Sequence, residues 1–312
     1  MAYLLLNTYI MKVCSLIRNF IFLPLGILSV ASVARASVIE KTLSVWGHEV
    51  SYELVTLKNP KLPYDGATFK LSSSKKEKHR IVLNTIFFEK EALELWNDFQ
   101  SNSSPSFDSS PDLMTFLNDL SRMDRQIKNA IPLTIEQKSS FVLHLKELKK
   151  QLQHAAWFDI YRSTLQTSPS VNQAKKQFVG LFTKIRKQTI EFHEASHLLD
   201  EIQKNKSTKE GYENETEVKA FLSELAHGSN PHDSLWQMVA GVLDEIEKGR
   251  NVDYSIQKMK DILYASQSLP RVAKGEMLCF LCYLSKKDVK EIALFLYTSP
   301  MAKNQQTGIL QI

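Results

Sequence analysis

Residues 171–205 read VNQAKKQFVGLFTKIRKQTIEFHEASHLLDEIQKN, and this stretch decides the fold. It reads as one long helical segment from Ser170 to about Asn205, and it carries His193-Glu194-Ala195-Ser196-His197 near its end. At 3.6 residues per turn, positions i and i+4 lie one above the other, so both imidazoles can reach one metal ion. Glu194 projects about 100° away from His193, beside such an ion rather than onto it. Water on a bound zinc ion has its pKa lowered to about 7. A neighbouring carboxylate can take the proton and later pass it to a leaving amine.

Working outward, almost everything beyond Pro111 reads as helix. Leu113–Met123 is short, and Thr134 to about Leu165 is long and opens on the capping-box pattern Thr134-Ile-Glu-Gln137. Segments 213–227 and 233–248 follow, with two or three more after Tyr254. Toward the N-terminus the period changes to two. Thr42-Leu-Ser-Val-Trp46 and Val50-Ser-Tyr-Glu-Leu-Val55 alternate as strands, with turn signals at Asn59-Pro60 and Tyr64-Asp-Gly66. Lys70–Lys78 reads as a polar hairpin loop and Arg80–Phe88 as a buried strand, before helical periodicity begins over Glu89–Phe99. Ile81–Phe88 is also the candidate edge strand for pairing with an extended peptide. The expectation is an α+β protein: a small N-terminal antiparallel sheet over 37–100, and a mainly helical body over 112–308 after the SNSSPSFDSSP linker at 101–111.

The 312 residues carry 39 Lys plus Arg against 34 Asp plus Glu, and three of the five net positive charges are Lys12, Arg18 and Arg35. With no clustered basic excess elsewhere, a dedicated nucleic-acid binder is excluded. Residues 1–36 read as a signal peptide: a basic start, an apolar stretch from Phe20 to Val33, and the small-x-small pattern Ala34-Arg35-Ala36. The apolar run is short of the roughly 20 residues that span a bilayer. The expectation is an exported protein, periplasmic or secreted, with no membrane span after cleavage; Met11 is an alternative start. Cys279 and Cys282 sit in an apolar run and read as cysteines on a buried helical face or a local disulfide, not as half of a zinc site.

A catalytic zinc needs a third protein ligand and an open position. Twenty residues after His197, Glu217 stands within Asn214-Glu-Thr-Glu-Val-Lys-Ala-Phe221, and a turn through the polar loop 204–211 can fold it back level with the histidines. Glu213 and Glu215 are alternatives at the start of the same helix, where acids also serve the helix dipole. Over residues 189–224 this arrangement resembles the gluzincins, zinc peptidases whose HExxH helix is followed by a helix bearing an ExxA-type glutamate ligand; Glu217-Val-Lys-Ala220 fits that pattern. The resemblance implies a zincin-like body, one zinc per chain held by His193, His197 and Glu217, Glu194 as general base, and a peptide or protein substrate. Where many gluzincins place an Asp after ExxA to orient the first histidine, this chain has Phe221, leaving Ser223, Glu224 and Asp200 as candidates for that role. Nothing in the pattern selects His227, His232 or Tyr212 as a transition-state stabiliser. The competing readings are a non-catalytic metal binder and a helical interaction protein of the cell envelope.

Overall fold

The computed structural model describes residues 37–60, 65–73, 76–101, 115–116, 118–122, 135–203, 212–247, 253–268 and 278–298. Residues 1–36, with the expected signal peptide, the 102–114 linker region and the 204–211 loop lie outside the described residues.

Strands β1 (Ser37–Val45), β2 (His48–Leu57), β3 (Gly66–Ser73) and β4 (Lys76–Asn84) form one sheet in the order β1-β2-β4-β3. β1 pairs antiparallel with β2, and β3 with β4, but β2 and β4 run parallel, Leu54 opposite Ile81 and Leu57 opposite Asn84. The sheet is therefore mixed, which corrects the fully antiparallel expectation. Period-two alternation reports which face a residue takes; it carries no information about the direction of the neighbouring strand. Here the chain leaves β2, passes to the far edge as β3 and returns through a hairpin, so that β4 inserts between them. The hairpin turn is narrower than the loop expected over Lys70–Lys78, since strand runs through Ser73 and resumes at Lys76. Ile81–Asn84 is interior and residues 86–88 begin a helix, so the candidate edge strand Ile81–Phe88 is also corrected; the edges are β1 and β3.

The β1–β2 hairpin closes on Trp46-Gly47, with φ of 53° and 80°. Two positive φ values match a twisted two-residue turn that favours Asn-Gly. Trp46 holds that strained backbone because its ring is packed, stacked on Tyr297 at 3.7 Å and edge-on to His227 at 5.0 Å.

The helices are α1 (Ile86–Ser101), α2 (Ile135–Thr167), α3 (Val171–Gln203), α4 (Tyr212–His227), α5 (Pro231–Glu247), α6 (Asp253–Ser268) and α7 (Lys286–Thr298). Residues 278–282, with both cysteines of the apolar run, form a 3₁₀ turn. Local chemistry sets the starts. Ser170 accepts the Gln173 amide at 3.3 Å ahead of α3, and Ser285 with Asp288 makes a reciprocal cap on α7, at 3.1 and 3.0 Å. Pro231 opens α5, where its missing N–H is not needed.

Two cores share α3. On one side Trp96, Trp157, Phe178 and Phe182 are fully buried among helices α1, α2 and α3, with Tyr161 packed on the same cluster. On the other, Val50, Tyr52, Leu54, Ile81 and Leu83, one face of the sheet, bury Phe192, Ala195, Leu198 and Leu199. Each buried aliphatic or aromatic side chain contributes about 1.5–3 kcal/mol. Lys41 and Tyr52 add a polar anchor by meeting the buried Glu191 carboxylate, Lys41 Nζ at 2.8 Å. The fold is α+β, with a helix held between sheet and helices carrying His193-Glu-Ala-Ser-His197.

Candidate metal centre

α4 runs back antiparallel along α3. Ser223 Oγ donates to the Phe192 carbonyl at 3.2 Å, and Lys219 pairs with Asp200 at 3.7 Å. This pairing sets the α4 stripe Glu217–Phe221–Glu224 against His193 and His197. The two Nε2 atoms lie 3.1 Å apart. Glu217 Oε2 is 3.5 Å from His193 Nε2, and Oε1 is 3.3 Å from His197 Nε2. Among the described residues these three form a group able to hold a metal ion, with one ligand atom from each within 4.8 Å of the others; Glu194 is not part of it.

The distances provide a test of fit. Around a tetrahedral ion bonded at about 2.0–2.1 Å, ligand atoms sit about 3.3 Å apart. The 3.1 Å between the two Nε2 atoms, and the 3.3 and 3.5 Å from them to the two different oxygens of Glu217, bracket that value. Two imidazoles and one carboxylate match the donor set of a catalytic zinc site. Glu217 is 48% exposed at its side chain, so the group opens toward solvent on that side.

Glu224, two turns after Glu217, places Oε1 2.6 Å from Nδ1 of His193. With Nδ1–H donating to this carboxylate, Nε2 keeps its lone pair toward the ligand group. Of the three candidates for this role, Ser223 is committed to the Phe192 carbonyl and Asp200 pairs with Lys219. The position after ExxA, Phe221, is buried and carries the Lys258 ammonium 4.3 Å from its ring centre. The sequence signal for Glu224 is its spacing: seven residues from Glu217 returns to the same helical face.

The protonation balance follows from these contacts. Burial depresses the His193 pKa, but the hydrogen bonds that its ring donates to Glu217 and Glu224 outweigh it and push the imidazole up to about 10. Burial would raise Glu217, yet its hydrogen bonds to His193 and His197 hold it well below the usual carboxylate range. Glu194, 9% exposed, is raised by burial, with the two histidines opposing. It is thereby a stronger base than an exposed glutamate.

Glu194 faces the start of edge strand β3. A Cβ built on Gly66 would lie 3.1 Å from Glu194 Oε1 and 3.3 Å from its Cγ. Arg186, two turns before His193, reaches Asp65 at 3.8 Å, next to that glycine, and pairs with the buried Asp233 at 3.1 Å.

Other sequence candidates fall elsewhere. His227 stacks on Phe192 at 5.3 Å and meets Trp46, at the hairpin tip. His232 is buried at the start of α5. The side chains of Tyr212, Glu213, Glu215 and Cys279 lie outside the described residues. No protein family, curated protein or solved structure matches the chain.

Proposed function

We propose that this protein is a zinc-dependent metallopeptidase with His193, His197 and Glu217 as metal ligands and Glu194 as general base. The observation that carries the reading is the convergence of two imidazole Nε2 atoms 3.1 Å apart with the Glu217 carboxylate, one oxygen 3.5 Å from His193 and the other 3.3 Å from His197, with a buried carboxylate beside them and outside the set. A zinc ion bound there supplies Lewis-acid polarisation of a carbonyl and acidifies water.

The chain's own residues supply the rest. Glu224 orients His193 through Nδ1. Glu194 accepts the proton of the attacking water at its carboxylate and delivers it to the leaving nitrogen, and its burial raises its basicity for that step. β3, the sheet edge that touches Glu194, offers unpaired backbone groups to an extended peptide, the role first expected of Ile81–Phe88. Peptide or protein is the substrate class that such an edge suits.

The site of action in this reading is outside the cytoplasm, periplasmic or secreted, on the strength of the Lys12, Arg18 and Ala34-Arg35-Ala36 pattern. Among the described residues no helix is long and apolar enough to cross a membrane.

The test is metal content and peptide hydrolysis of wild type against Glu194→Gln. Gln is nearly isosteric but accepts no proton at neutral pH. Zinc content should stay at one per chain while hydrolysis falls at least about 100-fold. Loss of zinc in Glu194→Gln would make Glu194 a ligand or support, and absence of stoichiometric zinc in the wild type would end the metal reading.

A further inference from the structure

Glu194 stands one residue from a metal ligand, yet its carboxylate is not among the three that converge. Helix geometry alone does not ensure this. A glutamate side chain has three rotatable bonds, and its neighbour on the helix points at the metal group. Something must take the carboxylate up on the other side.

That something is backbone. Arg186, Ile190 and Glu194 are spaced i, i+4, i+8 on α3, one stripe, and this stripe faces the beginning of β3. Arg186 holds Asp65. The next residue, Gly66, presents a bare Cα to Ile190 and Glu194; a Cβ there would overlap Ile190 Cγ2 and crowd Glu194 at Oε1 and Cγ, at 3.1 and 3.3 Å. Gly66 has no positive φ, so backbone conformation does not call for glycine at this position. Space does. Ile190 Cγ2 takes that space, and beside it lies the one carboxylate that has to stay near the metal without binding it.

We infer that Gly66 is a positioning residue: its missing side chain is the recess that keeps Glu194 off the metal and leaves the ion's remaining position open. This deepens the reading of Glu194 as a base and rests on the metal centre, but not on hydrolysis being observed. A methyl at residue 66 displaces the carboxylate away from β3, toward His193 and His197. Glu194 then becomes a fourth protein ligand, metal binding tightens, and the exchangeable position is lost.

The test reads the metal rather than turnover. Because the methyl also overlaps Ile190, all variants are made in an Ile190→Ala background, which removes that overlap. Four full-length proteins are compared: the background, Gly66→Ala, Glu194→Ala and the double variant. Zinc affinity is measured by chelator competition, and the visible absorption of the Co²⁺-loaded proteins reports coordination. Gly66→Ala is expected to bind zinc at least about threefold more tightly when Glu194 is present, and to show no gain when it is absent, a coupling within the range of touching groups. Its Co²⁺ spectrum should also stop responding to azide, a small anion that needs an open position. Equal effects of Gly66→Ala with and without Glu194, or an unchanged azide response, would overturn the inference. If none of the four proteins binds zinc stoichiometrically while wild type does, the same comparison of Gly66→Ala with and without Glu194→Ala is made with Ile190 intact, with the same two readouts and the same overturning results. Failure of wild type to bind zinc at all would overturn both this inference and the metal centre itself.

Discussion

Two polar clusters sit on one face of α3, two turns apart, and they are built differently. Around Arg186 every strong charge meets an opposite one. Asp233 lies at 3.1 Å, Glu91 at 3.7 Å and Asp65 at 3.8 Å. Trp157 Nε1 donates to Asp233 at 2.9 Å, and Gln237 to Glu91 at 2.8 Å. Around His193 the atoms that converge are two imidazole nitrogens and a carboxylate, held together without a metal by the proton on His193. The first cluster is held by ion pairs within the protein, although Arg186 Nε makes no hydrogen bond among the described residues. The second makes chemical sense around a cation. Donor type, rather than burial or charge count, separates a cluster that ties helices together from one whose atoms suit a metal ion.

The largest effect expected from this contrast is on stability. Asp233→Ala leaves Arg186, 4% exposed, without its closest counter-charge, and removing one partner of a buried pair costs about 3–5 kcal/mol. His197→Ala in the metal-free protein removes only a contact with the half-exposed Glu217 and should change stability by less than about 1 kcal/mol, while abolishing stoichiometric zinc binding. Urea unfolding of the two metal-free variants checks this. Comparable losses would show that the histidine cluster is also part of the scaffold.

A smaller effect is expected at Glu224. Glu224→Gln keeps the shape but removes the charge facing Nδ1 of His193, and zinc affinity should fall about tenfold in chelator competition. An unchanged affinity would assign the orientation of His193 to packing alone.

The smallest effect is a proton count. His193 is raised to about 10 and Glu217 is lowered, so the metal-free site at pH 7.5 holds a proton on His193 and none on Glu217. Zinc needs the neutral imidazole, so its uptake should release about one proton from His193 at pH 7.5, besides that of any zinc-bound water, and the total should fall by about one above about pH 10. Indicator-dye titration in weak buffer reads this directly. No release at pH 7.5 would mean that the imidazoles are already neutral.

Much of this was legible in the sequence, for specific reasons. The α3 and α4 boundaries lie within two residues of those read from periodicity, because long amphipathic segments repeat their signal many times. His193, His197 and Glu217 converge as their spacing implied, because i, i+4 on a helix and a short return to a second helix leave little geometric freedom. Strand partners were not legible. Nothing in Val50–Val55 or Ile81–Leu83 announces that they pair in parallel, since direction depends on where β3 goes between them. Glu224 was one of three candidates, and only the rotation of α4 against α3 selected it. Gly66 read as a turn residue; its contact with Glu194 depends on a distant strand edge meeting α3.

The Lys41 and Tyr52 contacts with Glu191 have a consequence for how the site closes. They join residues 150 and 139 apart in the chain, whereas Glu224 and His193 are separated by 31. Loop-closure entropy grows as about (3/2)RT ln n, so bringing the sheet onto α3 loses about 1.4 kcal/mol more than folding α4 back along it. The ligand-gathering half of the site is thus encoded in a neighbourhood of the chain, and the seat of Glu194 in a remote encounter. An ion can be enclosed by a local helical hairpin, while the placing of the carboxylate beside it waits on the whole architecture.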